Sequence, residues 1–207
     1  GDTTVGVSSG NGTLFVNGGT MAVTGDATLG NQTGTTGLVT VSQSAGRLTV
    51  GGELNVGASG AGTLTLTESG TATITGAVVL ADTAGASGTV NIGAAAGSGA
   101  AGAGTLSTTE IDFGSGAGTG SLVFNHTATA ITPLDFGIEI TGGSTANSTI
   151  KQVGGFTNFT GVGSAYAGTV SVTGGGLNVE SGKTLAGTYS VTDGVLSGGG
   201  SVGTSGQ

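Results

Sequence analysis

Apolar and polar residues alternate through most of the first half of this chain. In Gly62–Leu80, GTLTLTESGTATITGAVVL, an apolar residue stands at nearly every second position, with threonine or glycine nearly everywhere between. Alternation of this kind puts one set of side chains on one face of an extended backbone, and so predicts strands with a single buried face. The strands also recur. GTLFV begins at Gly12, GLVTV at Gly37, GTLTL at Gly62 and GTVNI at Gly88, so the starts are almost evenly spaced. Each interval holds a second strand, ending at Val23, Val50 and Ile74, and a third that begins at Ala27, Glu53 and Ala77. No apolar period of the helical kind competes with this pattern, and the abundant glycine would penalise most helical windows by about 1 kcal/mol per glycine relative to alanine.

A unit of this size cannot bury its own apolar face, so the units must stack into one continuous core. The expected architecture is all-β: a parallel β-helix, or β-solenoid, with about 25 residues and three short strands per coil. Its inward ladders are Leu14, Val39, Leu64 and Val90; Val16, Val41, Leu66 and Ile92; Val23, Val50 and Ile74; and Leu29, Val56 and Leu80. About eight coils at about 4.8 Å each would give a rod on the order of 40 Å long. Glycine would serve the corners, both through positive φ and by keeping them thin. Beyond Ile92 the spacing changes, because GTLST at Gly104 and GSLVF at Gly120 follow at much shorter intervals. Three stretches of one solenoid are expected: regular coils over 1–103, irregular coils with longer connections over 104–167, and C-terminal coils over 168–207.

Composition removes several alternatives. Of 207 residues 48 are glycine, but Pro133 is the only proline and glycine has no collagen-like period, which excludes a collagen triple helix. A mean hydropathy of +0.31 with only 7% charged residues argues against disorder. The absence of cysteine removes disulfides, thiolate metal sites and thiol nucleophiles, and suits a chain that crosses an oxidising compartment unfolded. Arg47, Lys151 and Lys183 stand against eleven acidic residues, so the net charge of −8 disfavours nucleic acid as a partner. The opening GDTTVGVSSG has no signal-peptide pattern, and no run of about 20 apolar residues could span a membrane as a helix. The reading is a soluble segment whose export signal lies outside it.

The stretch VGGELNVGASGAGTLTLTESGTATITGAVVLADTAGASGTVNIG, Val50–Gly93, resembles the glycine-rich repeats of type V secreted passenger domains, the autotransporters. GTGSLVFNHT at Gly118–Thr127 is similar to a recurrent segment of the same proteins. AGTVSVTGGGLNVESGKTLAGTYSVTDGVLSGGGSVGT, Ala167–Thr204, resembles their passenger-associated transport repeat. The stretch Thr127–Ser164 departs from the family pattern except at its ends. The resemblance implies a right-handed β-helix on a Gram-negative cell surface, with C-terminal coils that help the passenger fold. It also implies a longer protein, with a signal peptide before this segment and an outer-membrane β-barrel after it. Host or bacterial surface molecules, or a second passenger, would be the partners.

Candidate chemistry is sparse. GVSSG at Gly6–Gly10 and GGSVG at Gly199–Gly203 match a nucleophile-elbow pattern, but that motif needs a following helix and a histidine in reach, and the chain has only His126. ESGKT at Glu180–Thr184 has Leu177 where a phosphate loop needs glycine, so it reads as a turn. His126 continues the inward alternation of Leu122 and Phe124 and is expected at a corner, bonded to backbone. Glu110 and Asp112 flank Ile111 and would share an outward face about 7 Å apart, as a solvated pair or as paired carboxylates. Asp26 and Glu53 align between consecutive coils and could stack or recruit Ca²⁺, although the calcium repeat G-G-x-G-x-D is absent. Asn11, Asn31, Asn125, Asn147 and Asn158 open N-x-T triplets, read as turns. No catalytic, cofactor-binding or metal-ligating set emerges, and no cofactor is expected.

Three functional classes remain: a non-enzymatic surface passenger acting as stalk or adhesin, a polysaccharide-acting enzyme on a β-helix, and an ice- or sugar-surface binder using threonine ladders such as Thr40, Thr65 and Asn91. The enzyme would need a cationic base and a carboxylate cluster in a groove, and three scattered cations supply neither. The passenger is the reading the sequence favours.

Overall fold

The computed structural model describes residues 1–7, 10–114 and 117–203. Every strand ladder in it is parallel, and no helix occurs among the described residues. After a short opening strand, Thr3–Val5, three strands repeat eight times and build three walls. The first wall is one unbroken sheet of eight strands: Gly12–Asn17, Thr36–Ser42, Ala61–Leu66, Ser87–Gly93, Thr119–Asn125, Ser148–Gly154, Thr169–Val172 and Thr188–Val191. Eight rungs at about 4.8 Å give a stack on the order of 35 Å tall. The β-solenoid expected from the repeat is therefore the fold.

The second wall is divided. Thr20–Val23, Arg47–Val50, Thr71–Ile74 and Thr105–Ser107 form one sheet, and Leu134–Phe136, Phe156–Phe159, Gly176–Val179 and Val195–Gly198 form another. Between Thr105–Ser107 and Leu134–Phe136 no ladder forms, and a cleft of about 100 Å³ opens beside Ile92, Leu106 and Leu134. The third wall is a sheet of seven strands from Thr3–Val5 to Ala165–Tyr166. A single bridge from Gly163 to Leu185 continues it into the last pair, Thr184–Leu185 and Ser201–Val202.

The register places the inward ladders as the alternation requires. Leu14, Val39, Leu64, Val90, Leu122, Ile150, Val170 and Tyr189 stack in one column of the first wall. Apart from Leu14 and Tyr189, in the two end coils and covered on one side, these side chains are buried. Val23, Val50 and Ile74 line the second wall, and Leu29, Val56 and Leu80 the third, all in the same core. Gly12, Gly37, Gly62, Gly88 and Gly120 form a further column where the third wall turns into the first. At Gly88 a Cβ would run into the Val56 carbonyl, so this corner closes only around a bare α-carbon.

The even spacing holds only for the first coils. The steps from Gly88 to its partner Gly120, and from Gly120 to Ser148, are longer than those before them, whereas Thr149, Thr169 and Thr188 follow one another at shorter ones. GTLST is the instructive correction. It resembles the strand at Gly62, but Thr105 pairs with Thr71, so it belongs to the second wall and opens no new coil. The alanine- and glycine-rich residues 94–104 fill the corner before it. They are tied to the third coil by Glu68 N–H to the Gly102 carbonyl and to the fifth by Thr127 N–H to the Ala101 carbonyl. Asn125 clamps the same segment, its amide donating to the Ala95 and Ser98 carbonyls at 2.9 Å each.

Where the coils lengthen, aromatic rings replace aliphatic side chains. Phe124 meets Phe136 edge-on at 4.9 Å between centroids, and Phe113 meets Tyr166 at 5.1 Å. Rings fill the interior where successive coils differ in path, with few torsions to fix.

Candidate functional site

With the interior given to core, any recognition surface has to be built from outward side chains. On the first wall, one outward column reads Thr13, Leu38, Thr63, Thr89, Ser121, Thr149, Thr169 and Thr188, a nearly continuous line of hydroxyls. The adjacent column, which contains the expected ladder of Thr40, Thr65 and Asn91, is mixed: it begins at Phe15 and passes through Val123 and Lys151 to Ser171 and Ser190. Asn91 is not free there. It is buried and donates to the Thr65 hydroxyl at 3.0 Å, while its Oδ1 finds no partner.

The acidic pairs resolve into structural roles. Asp26 and Glu53 do lie in neighbouring coils, but the Asp26 carboxylate accepts from the Glu53 backbone N–H at 2.8 Å, and Asp2 does the same for Asp26 at 3.1 Å. Glu110 and Asp112 share the outward side of their strand. Glu110 lies in register with Glu139 and accepts from the Thr141 hydroxyl, while Asp112 accepts from the Gly114 N–H. No group of three or more His, Asp or Glu side chains that could hold a metal occurs among the described residues.

His126 is fully buried at the corner after the fifth strand of the first wall. Its Nδ1 accepts from the Ala128 N–H at 3.3 Å, which leaves the proton on Nε2, 2.9 Å from the Thr157 hydroxyl. Burial pushes the ring down to about 4, because a charged imidazolium there would lose its hydration without gaining a carboxylate. Burial also raises the phenols of Tyr166 and Tyr189, which donate to the Thr169 and Leu185 carbonyls.

The remaining motifs fall on turns and strands. Ser8 and Ser9 of GVSSG lie outside the described residues. GGSVG contains the strand Ser201–Val202, and ESGKT is a turn in which the Lys183 N–H donates to the Glu180 carbonyl. Among the N-x-T asparagines, Asn125 is buried in its clamp and Asn11 accepts from the Thr36 N–H. Two of them are no turn residues: Asn125 closes the strand Thr119–Asn125, and Asn158 sits inside the strand Phe156–Phe159.

That strand leads to a cleft with convergent polar groups, which the sequence patterns do not single out. On the outer face of the second wall, Asn158 donates to Asp135 at 2.9 Å, Asn178 to Asn158 at 2.7 Å, and Ser197 to Asn178 at 3.2 Å. The result is a hydrogen-bonded rail across four coils. Two residues earlier in each strand runs an apolar column. Phe156 pairs with Gly176 and Gly176 with Val195, and the Phe156 ring overhangs Gly176 where a Cβ would otherwise stand. Pro133 and Ala130 from the preceding loop close the side of a cleft of about 300 Å³. Its lining offers amide and hydroxyl groups beside a ring, which is equipment for recognition. The available signal is that Asn158, Asn178 and Ser197 each stand third in the short strands FTNF, GLNV and VLSG. No family model, curated protein or solved structure matches the chain.

Proposed function

We propose that this chain is a length of cell-surface passenger of the autotransporter kind, a non-enzymatic β-solenoid stalk that supports adhesion or self-association. The observation that carries this reading is the unbroken eight-strand first wall, faced outward by a column of hydroxyls. A stack whose coils each contact only their neighbours extends by repetition and keeps a long, uniform side surface, which suits spacing and lateral contact. The low charge and the resemblances at Val50–Gly93 and Ala167–Thr204 point the same way. In this proposal the partners are host or bacterial surface molecules, or a second copy meeting the hydroxyl face edge to edge. The place of action is the outer surface of a Gram-negative cell, with a membrane barrel continuous with the chain.

The polysaccharide-enzyme alternative is weaker, because Asp135 is the one titratable side chain on the outward rail and no cation lies beside it in the cleft lining. The ice-binding alternative is weakened by Phe15, Val123 and Lys151, which interrupt the hydroxyl face. The test is display of residues 1–207 on a bacterial surface, against the same display with the segment deleted. Faster cell settling or attachment with the segment is expected. Equal rates would overturn the proposal.

A further inference from the structure

The two rails of the second wall differ in chemistry and run side by side. One is apolar, carried in the cleft by Pro133 and the Phe156 ring, with Val195 in register beyond them; the other is a chain of amide and hydroxyl groups, Asn158, Asn178 and Ser197, which Asp135 ends just outside the cleft lining. Alternate residues of a strand lie about 7 Å apart, so a ligand lying along the cleft would meet both rails at once. Within the polar rail each asparagine uses one amide hydrogen and one carbonyl contact on its neighbours. A second N–H and a further lone pair remain for a ligand.

A pyranose has this same division. Its C–H faces are apolar and its rim carries hydroxyls that both donate and accept. The rail also repeats at the coil spacing of about 4.8 Å, close to the length of one pyranose in an extended β-linked chain. A peptide strand is a poorer occupant, because strand addition pairs with the backbone of a sheet edge, whereas this cleft is lined by outward side chains across the face of the sheet. The lining contains no cation and Asp135 sits at one end of the rail, so an anionic polymer would be repelled.

We infer that the cleft between Phe156 and the Asn158–Asn178–Ser197 rail is a binding site for a neutral, extended β-linked oligosaccharide. This deepens the passenger reading, on which it rests, by naming the ligand class for one surface of it. Ring stacking on Phe156 would supply contact area, and the rail would set register and direction along the sugar chain.

The test is calorimetric titration of the whole chain with cello- and chito-oligosaccharides from disaccharide to hexasaccharide. Saturable binding is expected, with affinity rising about tenfold or more from disaccharide to tetrasaccharide and then levelling, because the rail spans four coils. Ser197→Trp, at an exposed position in the last coil, should fill the cleft and lower affinity by about tenfold or more with an unchanged circular dichroism spectrum. Asn178→Leu should do the same by removing the central amide, whereas Thr49→Trp, at an exposed position in the second coil of the same wall, should leave binding intact. Absence of saturable binding to every neutral oligomer, undiminished binding by Ser197→Trp, or preference for oligogalacturonate would overturn the inference. The two proposals fail separately. Cell attachment without oligosaccharide binding removes only the sugar site, and oligosaccharide binding without attachment removes only the passenger role.

Discussion

The first four coils and the last four solve one packing problem by different means. In the first, the core columns are aliphatic apart from Phe113 at the end of the fourth coil, and the glycine corner repeats almost unchanged from Gly12 to Gly88. In the last, the same columns contain Phe124, Gln152 and Tyr189, and a buried His126–Thr157 pair sits at the corner. Gln152 lies between Phe124 and Val172 in the column that runs from Val16 through Val41, Leu66 and Ile92. It is fully buried, with its amide donating to the Gly154 and Gly155 carbonyls. In the uniform coils the side-chain hydrogen bonds from Asp26 to the Glu53 N–H and from Asn11 to the Thr36 N–H sit at exposed corners, outside the core columns. Coils that first lengthen and then shorten are held in register by particular polar contacts, and those contacts also create a surface with individual features. The proposed ligand cleft lies in that half.

If the halves differ in this way, a glutamine should be intolerable in the regular column and acceptable in the irregular one. Leu66→Gln is expected to cost about 3 kcal/mol or more, since it would place an amide between the buried apolar side chains of Val41 and Ile92. Gln152→Met should change stability by less than about 1 kcal/mol, because it trades two hydrogen bonds and an unpartnered Oε1 for apolar contact. Chemical denaturation of both variants checks this, and equal losses would erase the distinction.

Acid should also find the irregular half first. His126 is neutral when buried, with its ring held to about 4, whereas the unfolded ring protonates near about 6.5. Between those values the unfolded state binds the extra proton, so stability present above about pH 6.5 is lost as pH falls towards about 4, by about 2 to 3 kcal/mol. His126→Gln removes the titration and should flatten that part of the profile of unfolding free energy against pH. An unaltered slope would remove His126 as its source.

Glycine offers a smaller contrast. Gly88→Ala drives a Cβ into the Val56 carbonyl and should cost about 2 kcal/mol. Gly99→Ala, in the corner insert where a Cβ meets nothing within 4 Å, should shift stability by less than about 0.5 kcal/mol. Thermal melts that rank the two the other way would show that the corner column is misplaced.

This division also explains what can be read from the sequence. The ladders at Val39, Leu64 and Val90 are legible because the same spacing recurs until chance is an inadequate explanation. GTLST misleads because a local motif reports strand and face but not which wall a strand joins; that depends on residues 94–104 being taken up in a corner. Asn158 and Asn178 look like isolated polar residues because their alignment exists only once the short C-terminal corners are in place. His126 reads as a corner residue from alternation alone, but its Thr157 partner belongs to the next coil, and only stacking brings it near.

The contrast between halves requires one stack that continues through the break in the second wall. Because the chain has no cysteine, spin labels can be placed cleanly on the outward column of the first wall, at Thr40 paired in turn with Lys151, Ser171 and Ser190. The eight-coil stack requires label separations that grow by about 4.8 Å per coil, reaching roughly 30 Å at Ser190, whatever the length of each coil. Separations that stop growing beyond Asn125 would contradict it, because the two halves would then be folded against one another instead of end to end.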